Sequence, residues 1–273
     1  MTQQQTATQI MGVLNVTPDS FSDGGDYSEL DAALAQAENM LAAGAHWIDI
    51  GGESTRPGAA PVSAEQEKQR ILPVLQAIRH AFPDAAVSVD TSKPLVMKAA
   101  IAAGAKMIND VRALQMPGAL EVVVDAPVQL CLMHMQGKPD TMQQSPRYDD
   151  VIREVHDFLI NRIATCVRAG INHQRIIVDP GFGFGKTLSH NLQLMQNLSA
   201  LKSLDCPILI GVSRKSMIGT VLDKPVEQRL YGGLALATLA VSQGAAIIRT
   251  HDVAATIDVV RMTEAVLKSL DKI

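Results

Sequence analysis

Short apolar, β-branched runs bounded by turn residues alternate along the chain with longer stretches of helical period. Eight runs, at residues 10–16, 47–50, 86–89, 106–108, 128–133, 175–178, 208–212 and 246–248, predict β-strands. Between them the apolar spacing changes. The first intervening stretch lays Leu30, Leu34, Ala37 and Leu41 on one helical face, with Ser28 as its expected N-cap. The second opens on Ser63 and Gln66, spaced as a capping box, and Pro73 predicts a kink within it. Regular alternation of this kind is the pattern of βαβ units around a parallel sheet.

The returns from helix to strand add a second regularity. Gly44, Gly104, Gly170 and Gly244 each stand where a left-handed C-cap would end a helix, and they alternate with returns through Asp84, Asp125 and Asp205. These seven returns join eight strands, the number that eight βα steps require. A chain of 273 residues is close to the roughly 250 of a (β/α)8 TIM barrel, so the expected architecture is a single barrel domain spanning residues 1–273. A doubly wound open sheet is the alternative. It is disfavoured because no Gly-rich dinucleotide fingerprint follows the first strand, and because polar residues close nearly every strand instead of gathering at one switch point.

Composition narrows the function more than the fold. With 47% hydrophobic residues and a net charge of -4, the chain can bury a large core, and its scattered lysines and arginines form no surface for nucleic acid. Residues 1–9 lack the basic start and apolar run of a signal peptide, and no segment is apolar enough for a bilayer. The expectation is a cytoplasmic protein without a membrane partner. Cys131, Cys166 and Cys206 are too dispersed for a disulfide framework or a close-paired zinc site.

In a TIM barrel the chemistry lies at the C-terminal ends of the strands. Here those positions hold Asn15, Asp49, Asp90, Asn109 with Asp110, His134, Asp179, Ser213 with Lys215, and Arg249 with His251. Any one Asp or Asn could be a helix cap; the whole set is harder to assign to capping. Residues 17–29 and 51–62 exceed the usual two to six residues of a βα connection and are candidate lids, the first carrying Phe21. The segment DPGFGFGK at 179–186 sets two rings among glycines but lacks the spacing of a P-loop. Lys215 is open between a Schiff-base lysine, as in barrel aldolases, and a solvated cation. RTHD at 249–252 follows the last strand, where barrels often bind phosphate. From the residues alone, the rim suits a donor-rich heterocycle and an oxyanion.

Taken in order, GVLNVTPDSFSDGG, WIDIGGESTRPGA, SVDTSKP, INDV, LMHMQG, DPGFGFGK, GVSRKS and RTHD resemble the consecutive signature blocks of the dihydropteroate synthases, from Gly12 to Asp252. Related pterin-binding methyltransferase barrels share part of the carboxylate and amide set. The first loop, STRPG, and SRK with RTH are specific to the synthases. The resemblance implies a transferase of folate biosynthesis and a sulfonamide target. It would join 4-aminobenzoate to (7,8-dihydropterin-6-yl)methyl diphosphate, with Mg²⁺ as cofactor and a homodimer as the working form. It also implies a pterin pocket of Asp90, Asn109, Asp179 and Lys215, with Val111, Met133 and Gly211 among the substrate contacts. Asn15 would ligate Mg²⁺, and Arg249 and His251 would hold the diphosphate. Thr55, Arg56, Pro57, Phe184 and Ser213 would receive the aminobenzoate under Phe21, Ser22 and Asp23. The catalytic set would be Asp90, Lys215, Arg249, Asp23 and Phe21. A methyltransferase domain, a non-catalytic pterin-binding module and a Schiff-base aldolase are the competing readings.

Overall fold

A computed structural model describes residues 7–17, 26–54, 61–137 and 141–270. The predicted strands form β1 (Gln9–Asn15), β2 (Trp47–Gly51), β3 (Ala86–Asp90), β4 (Met107–Asp110), β5 (Gln129–Met133), β6 (Ile176–Asp179), β7 (Leu209–Gly211) and β8 (Ile247–Thr250). They lie in one parallel sheet of order β6-β5-β4-β3-β2-β1-β8-β7. A parallel bridge from Val178 to Ile208 brings the two outer strands together and closes the barrel. Around it run α1 (Asp26–Ala42), α2 (Ala64–Ala81), α3 (Pro94–Ala102), α4 (Ala119–Val123), α5 (Val151–Arg168), α6 (Leu188–Gln196), α7 (Ser216–Leu222), α8 (Leu230–Ser242) and α9 (Val253–Leu270). The fold is the expected single (β/α)8 barrel.

Local signals explain most boundaries. Ser63 and Gln66 form the reciprocal capping box that starts α2, and this helix continues through Pro73. Gly44, Gly104, Gly170 and Gly244 all take positive φ between 95° and 102°, as a left-handed helix exit requires. One boundary differs from expectation. Helix α1 begins at Asp26, so Ser28 stands in its first turn and is not the N-cap.

Side chains alternate between the two faces of a strand, and this period separates two cores. Outside the barrel, Ile48, Ile50, Val87, Val89, Leu130 and Leu132 pack with the helices in the larger cluster. Inside it, Met11, Trp47, Met107, Cys131, Ile177, Leu209 and Ile247 form a separate apolar plug. Among the described residues no helix is long and apolar enough to cross a membrane.

The connection after β6 crosses directly over the extension of β5, where the His134 amide donates to the Asp179 carbonyl at 2.9 Å. Gly181 (φ 70°) and Gly185 (φ 59°) make this crossing. A Cβ at Gly181 would collide with the His134 carbonyl oxygen, and one at Gly185 with that of Gln136. Both partners are backbone and cannot swing aside. Gly181→Ala is therefore expected to cost about 2 kcal/mol or more and to lower the melting temperature by roughly 4–8 °C. Gly233→Ala, inside α8 with only ordinary contact around it, should be neutral or stabilise by about 0.5–1 kcal/mol. Thermal melts of the two variants, followed by circular dichroism, check both expectations.

Candidate active site

The plug fixes which residues enter the mouth. Two positions beyond each plug residue the alternation returns inward, at Val13, Asp49, Asn109, Met133, Asp179, Gly211 and Arg249. Two further on it reaches Gly51, Val111, Gly181, Ser213 and His251, with Asn15 and Asp90 at the same level. The barrel is thus apolar at its base and polar toward the C-terminal ends. Parallel register sets Asn15 beside Gly51, Gly51 beside Asp90, and Asp90 beside Asn109. A Cβ at Gly51 would stand 3.5 Å from Asn15 Oδ1 and 3.9 Å from Asp90 Cβ, so this glycine leaves a gap between two polar side chains. Gly211 does the same beside Arg249, its register neighbour.

Arg249 occupies that space and bridges two carboxylates. Its Nε donates to Asp49 Oδ2 at 2.6 Å and its Nη2 to Asp90 Oδ2 at 3.1 Å. Asn109 Nδ2 donates to the same Asp49 oxygen at 3.1 Å. Asp49 is fully buried, and its Oδ1 has no hydrogen-bond partner among the described residues. Burial draws the Arg249 guanidinium down, but Asp49 and Asp90 more than reverse this and leave it firmly charged. Burial raises the Asp90 carboxyl, with Asp49 adding to the rise and Arg249 opposing it.

Beside this network lies a second charged group. Asp179 Oδ1 accepts the Gly181 amide at 2.7 Å; burial raises its carboxyl, against Lys215 and that amide. Lys215 donates from Nζ to the Phe182 carbonyl, and Nζ lies 4.5 Å from the Phe184 ring centroid. Burial brings this lysine down to about 8, Asp179 opposing and Arg249 assisting. Ser213 Oγ accepts the His251 amide at 3.2 Å and lies 3.0 Å from His251 Nδ1. Met133 and Val111 are buried apolar walls.

Not every polar strand end belongs to the mouth. Asp110 accepts from Ser92 Oγ and from the amides of Arg112 at 2.8 Å and Leu114 at 2.7 Å, so it organises the turn after β4. His134 is buried against Lys186, with Nζ to Nδ1 at 2.8 Å. Phe21, Ser22, Asp23, Thr55, Arg56 and Pro57 lie outside the described residues. The structure also gives partners to residues that the sequence left without roles. Asp49 is the hub of the arginine network, signalled in hindsight by a carboxylate between Ile48 and Ile50. Lys93 binds both Glu67 and Glu53, whose Oε1 accepts the Val62 amide at 2.9 Å. Among the described residues no cluster of three or more His, Cys, Asp or Glu side chains is placed to hold a metal.

Comparison with known proteins follows the same outline. The model of the family described as pterin binding enzyme matches residues 11–251. The chain is 52% identical over 260 residues to the dihydropteroate synthase of Escherichia coli (strain K12), covering 95% of this chain and 92% of that protein. The Yersinia pestis dihydropteroate synthase, solved in a sulfonamide drug complex, superposes with a TM-score of 0.91 at 50% identity, covering 98% of this chain and 97% of that one. The Xanthomonas albilineans dihydropteroate synthase in complex with 7,8-dihydropteroate gives a TM-score of 0.88 at 44% identity, over 97% and 95% of the two chains. With family model, near full-length relatives and barrel in agreement, this chain belongs to the dihydropteroate synthase family of pterin binding enzymes and is a transferase.

Proposed function

We propose that this chain joins 4-aminobenzoate to (7,8-dihydropterin-6-yl)methyl diphosphate, giving 7,8-dihydropteroate and diphosphate. The observation that carries the reading is the division of the mouth by strand. Acceptors from β3, β4 and β6 (Asp90, Asn109 and Asp179) face donors from β8 and from just after β7 and β8 (Arg249, Lys215, Ser213 and His251). The solved Xanthomonas relative, bound to 7,8-dihydropteroate, supports the same substrate class.

In this reading Asp90, Asn109 and Asp179 accept the paired N–H groups of the pterin, and the ionised carboxylates of Asp90 and Asp179 make the short, strong bonds of the three. Met133, Val111 and Gly211 shape the pocket for the ring. Ser213 and the Phe184 ring receive the aminobenzoate, with Thr55, Arg56 and Pro57 and, from the first loop, Phe21 and Asp23. Arg249 and His251 hold the diphosphate. The substitution is dissociative: the C–O bond to the diphosphate breaks first, its electron pair leaving with the diphosphate, and the arylamine nitrogen then attacks the exocyclic carbon and loses a proton to water. No side-chain nucleophile is required. The protein supplies fixed charge, Asp90 facing the developing cation and Arg249 the departing anion.

Mg²⁺ suits this donor set. Asn15 offers one neutral amide oxygen, and the ion commonly takes its remaining ligands from phosphates and water. Asn15 would hold it, and when bound it supplies neutralising charge to the diphosphate. We further propose that the chain works as a single domain in a cytoplasmic homodimer. Exposed Tyr231 and Leu239 on α8 and Met262 and Val266 on α9 support an apolar contact through barrel helices.

Three outcomes are expected. Purified protein supplied with both substrates and Mg²⁺ should release dihydropteroate, detected by mass spectrometry, and chelator should abolish release until Mg²⁺ is restored. Tight pterin binding with no product would defeat the synthase reading in favour of a binding or methyl-transfer role. Asp90→Asn should lower kcat at least tenfold, a barrier increase of about 1.4 kcal/mol, with a smaller change in pterin affinity; unchanged kcat would remove Asp90 from the chemistry. The Lys215 ammonium is present below about 8 and lost above it, so kcat/KM should fall as pH rises through that value. Lys215→Met should be slower throughout and lack this alkaline limb, and a profile with the limb intact would assign it to another group.

A further inference from the structure

Lys186 is 2% exposed, yet the chemistry just described does not use it. Burial pulls this lysine well down, with Asp179 opposing, but its three neighbours are all acceptors and match the three N–H donors of an ammonium: His134 Nδ1 at 2.8 Å, the Gly181 carbonyl at 3.0 Å and the Phe184 carbonyl at 3.1 Å. For Nδ1 to accept, His134 must be the neutral tautomer protonated on Nε2. Burial and the neighbouring lysine both push its imidazolium form well down. The ring is itself fixed, edge-on to Phe158 at 4.9 Å and beside Tyr148 at 6.0 Å.

Other side chains complete the hold on this connection. Tyr148 Oη donates to the Gly185 carbonyl at 2.8 Å, and Gln143 Nε2 donates to the Gly183 carbonyl. Asn191 Oδ1 accepts the Gly183 amide at 2.7 Å. Four side chains, those of Lys186, Tyr148, Gln143 and Asn191, thus fasten residues 181–185 from behind. In front, the Phe182 carbonyl and the Phe184 ring meet Lys215, and Gly183 lies against that lysine's stem.

We propose that Lys186, oriented by His134 and bonded directly to the Gly181 and Phe184 carbonyls, is a positioning residue that, with Tyr148 on the Gly185 carbonyl, holds the glycine-rich connection against Lys215 and thereby sets affinity for the aminobenzoate. The proposal rests on the synthase reading, which gives Phe184 to the aminobenzoate site. Asp179 shares the Gly181 amide with this connection and feels the Lys186 charge, but its backbone is fixed as the last residue of β6, so the pterin side should be less sensitive than the aminobenzoate side.

Lys186→Met keeps the stem and removes the three donors. Its KM for 4-aminobenzoate is expected to rise about tenfold, with pterin Kd and saturated kcat each within about threefold of the parent. His134→Asn retains an acceptor at the δ position and should stay within about threefold, whereas His134→Leu should match Lys186→Met. Tyr148→Phe, which loses one hydrogen bond at a partly buried site, should raise the same KM about threefold. If Lys186→Met does not fold, the His134 pair and Tyr148→Phe decide the matter. A lowered melting temperature with unaltered KM in the folded variants would overturn the proposal, leaving Lys186 a support of the fold. Equal loss of pterin and aminobenzoate affinity would overturn it too. A parent protein that binds pterin but makes no dihydropteroate would instead defeat the synthase reading, and this proposal with it.

Discussion

Arg249, placed between Asp49 and Asp90 inside the barrel, is the constraint on which the mouth depends. Two carboxylates at this depth cannot both stay ionised without a cation between them, and removing one partner of such a buried set typically costs about 3–5 kcal/mol. The surroundings are arranged for the arginine. Gly211 clears room beside its stem, Gly51 opens the gap between Asn15 and Asp90, and Asn109 supplies a further donor to Asp49. Below, the Met11 to Ile247 plug seals the barrel base. Asp49 Oδ1, without a partner among the described residues, and the raised Asp90 carboxyl are costs of this arrangement, and such costs concentrate where a protein binds its ligand.

The proposed reaction uses the same network in another state. Arg249 engages Asp90 through Nη2 alone, a single bond at 3.1 Å, while Asp49 holds Nε more tightly at 2.6 Å. Asp49 can therefore retain the guanidinium while Asp90 turns to the pterin and the outer face of the arginine turns to the diphosphate. Asp90 gives up this one bond to the guanidinium and accepts the N–H groups of the pterin in its place. The strong bond anchors and the weak one is available for exchange.

Much of this was legible in the residues because one period governs both fold and site. The apolar runs marked all eight strands to within a residue or two, and their polar ends marked the rim. Ser63 with Gln66 and the four returning glycines were readable because a cap is a local event. Failures came where the deciding contact is distant in sequence. His134 read as a rim group, yet it is consumed by Lys186, 52 residues away; Asp110 read the same way but is spent on a local turn, on amides two and four residues on. Asp49 had no assigned role because its partner lies 200 residues on. Ser28 failed for a more ordinary reason: a serine before an apolar stripe resembles a cap even when the helix has already begun at Asp26.

Charge placement resolves an apparent conflict in the proposed chemistry. The chain carries a net charge of -4, and Asp49, Asp90 and Asp179 outnumber Lys215 and Arg249 in the mouth, yet the proposed substrates are a diphosphate ester and a carboxylate. A uniform acidic field would repel both. The charges are instead divided among strands, with the carboxylates on β2, β3 and β6 and the cations on β8 and just after β7. Inside a low-dielectric mouth, contacts of a few ångströms outweigh distant surface charge, which salt screens over about 8 Å. The acidic arc can therefore take the N–H edge of a heterocycle while the basic arc takes its phosphate tail. The same division explains why Lys215 needs an orienting support: a flexible ammonium near Asp179 would fold back onto the acidic side. The Phe182 carbonyl and the Phe184 ring, on the connection that Lys186 fastens at Gly181 and Phe184, supply it.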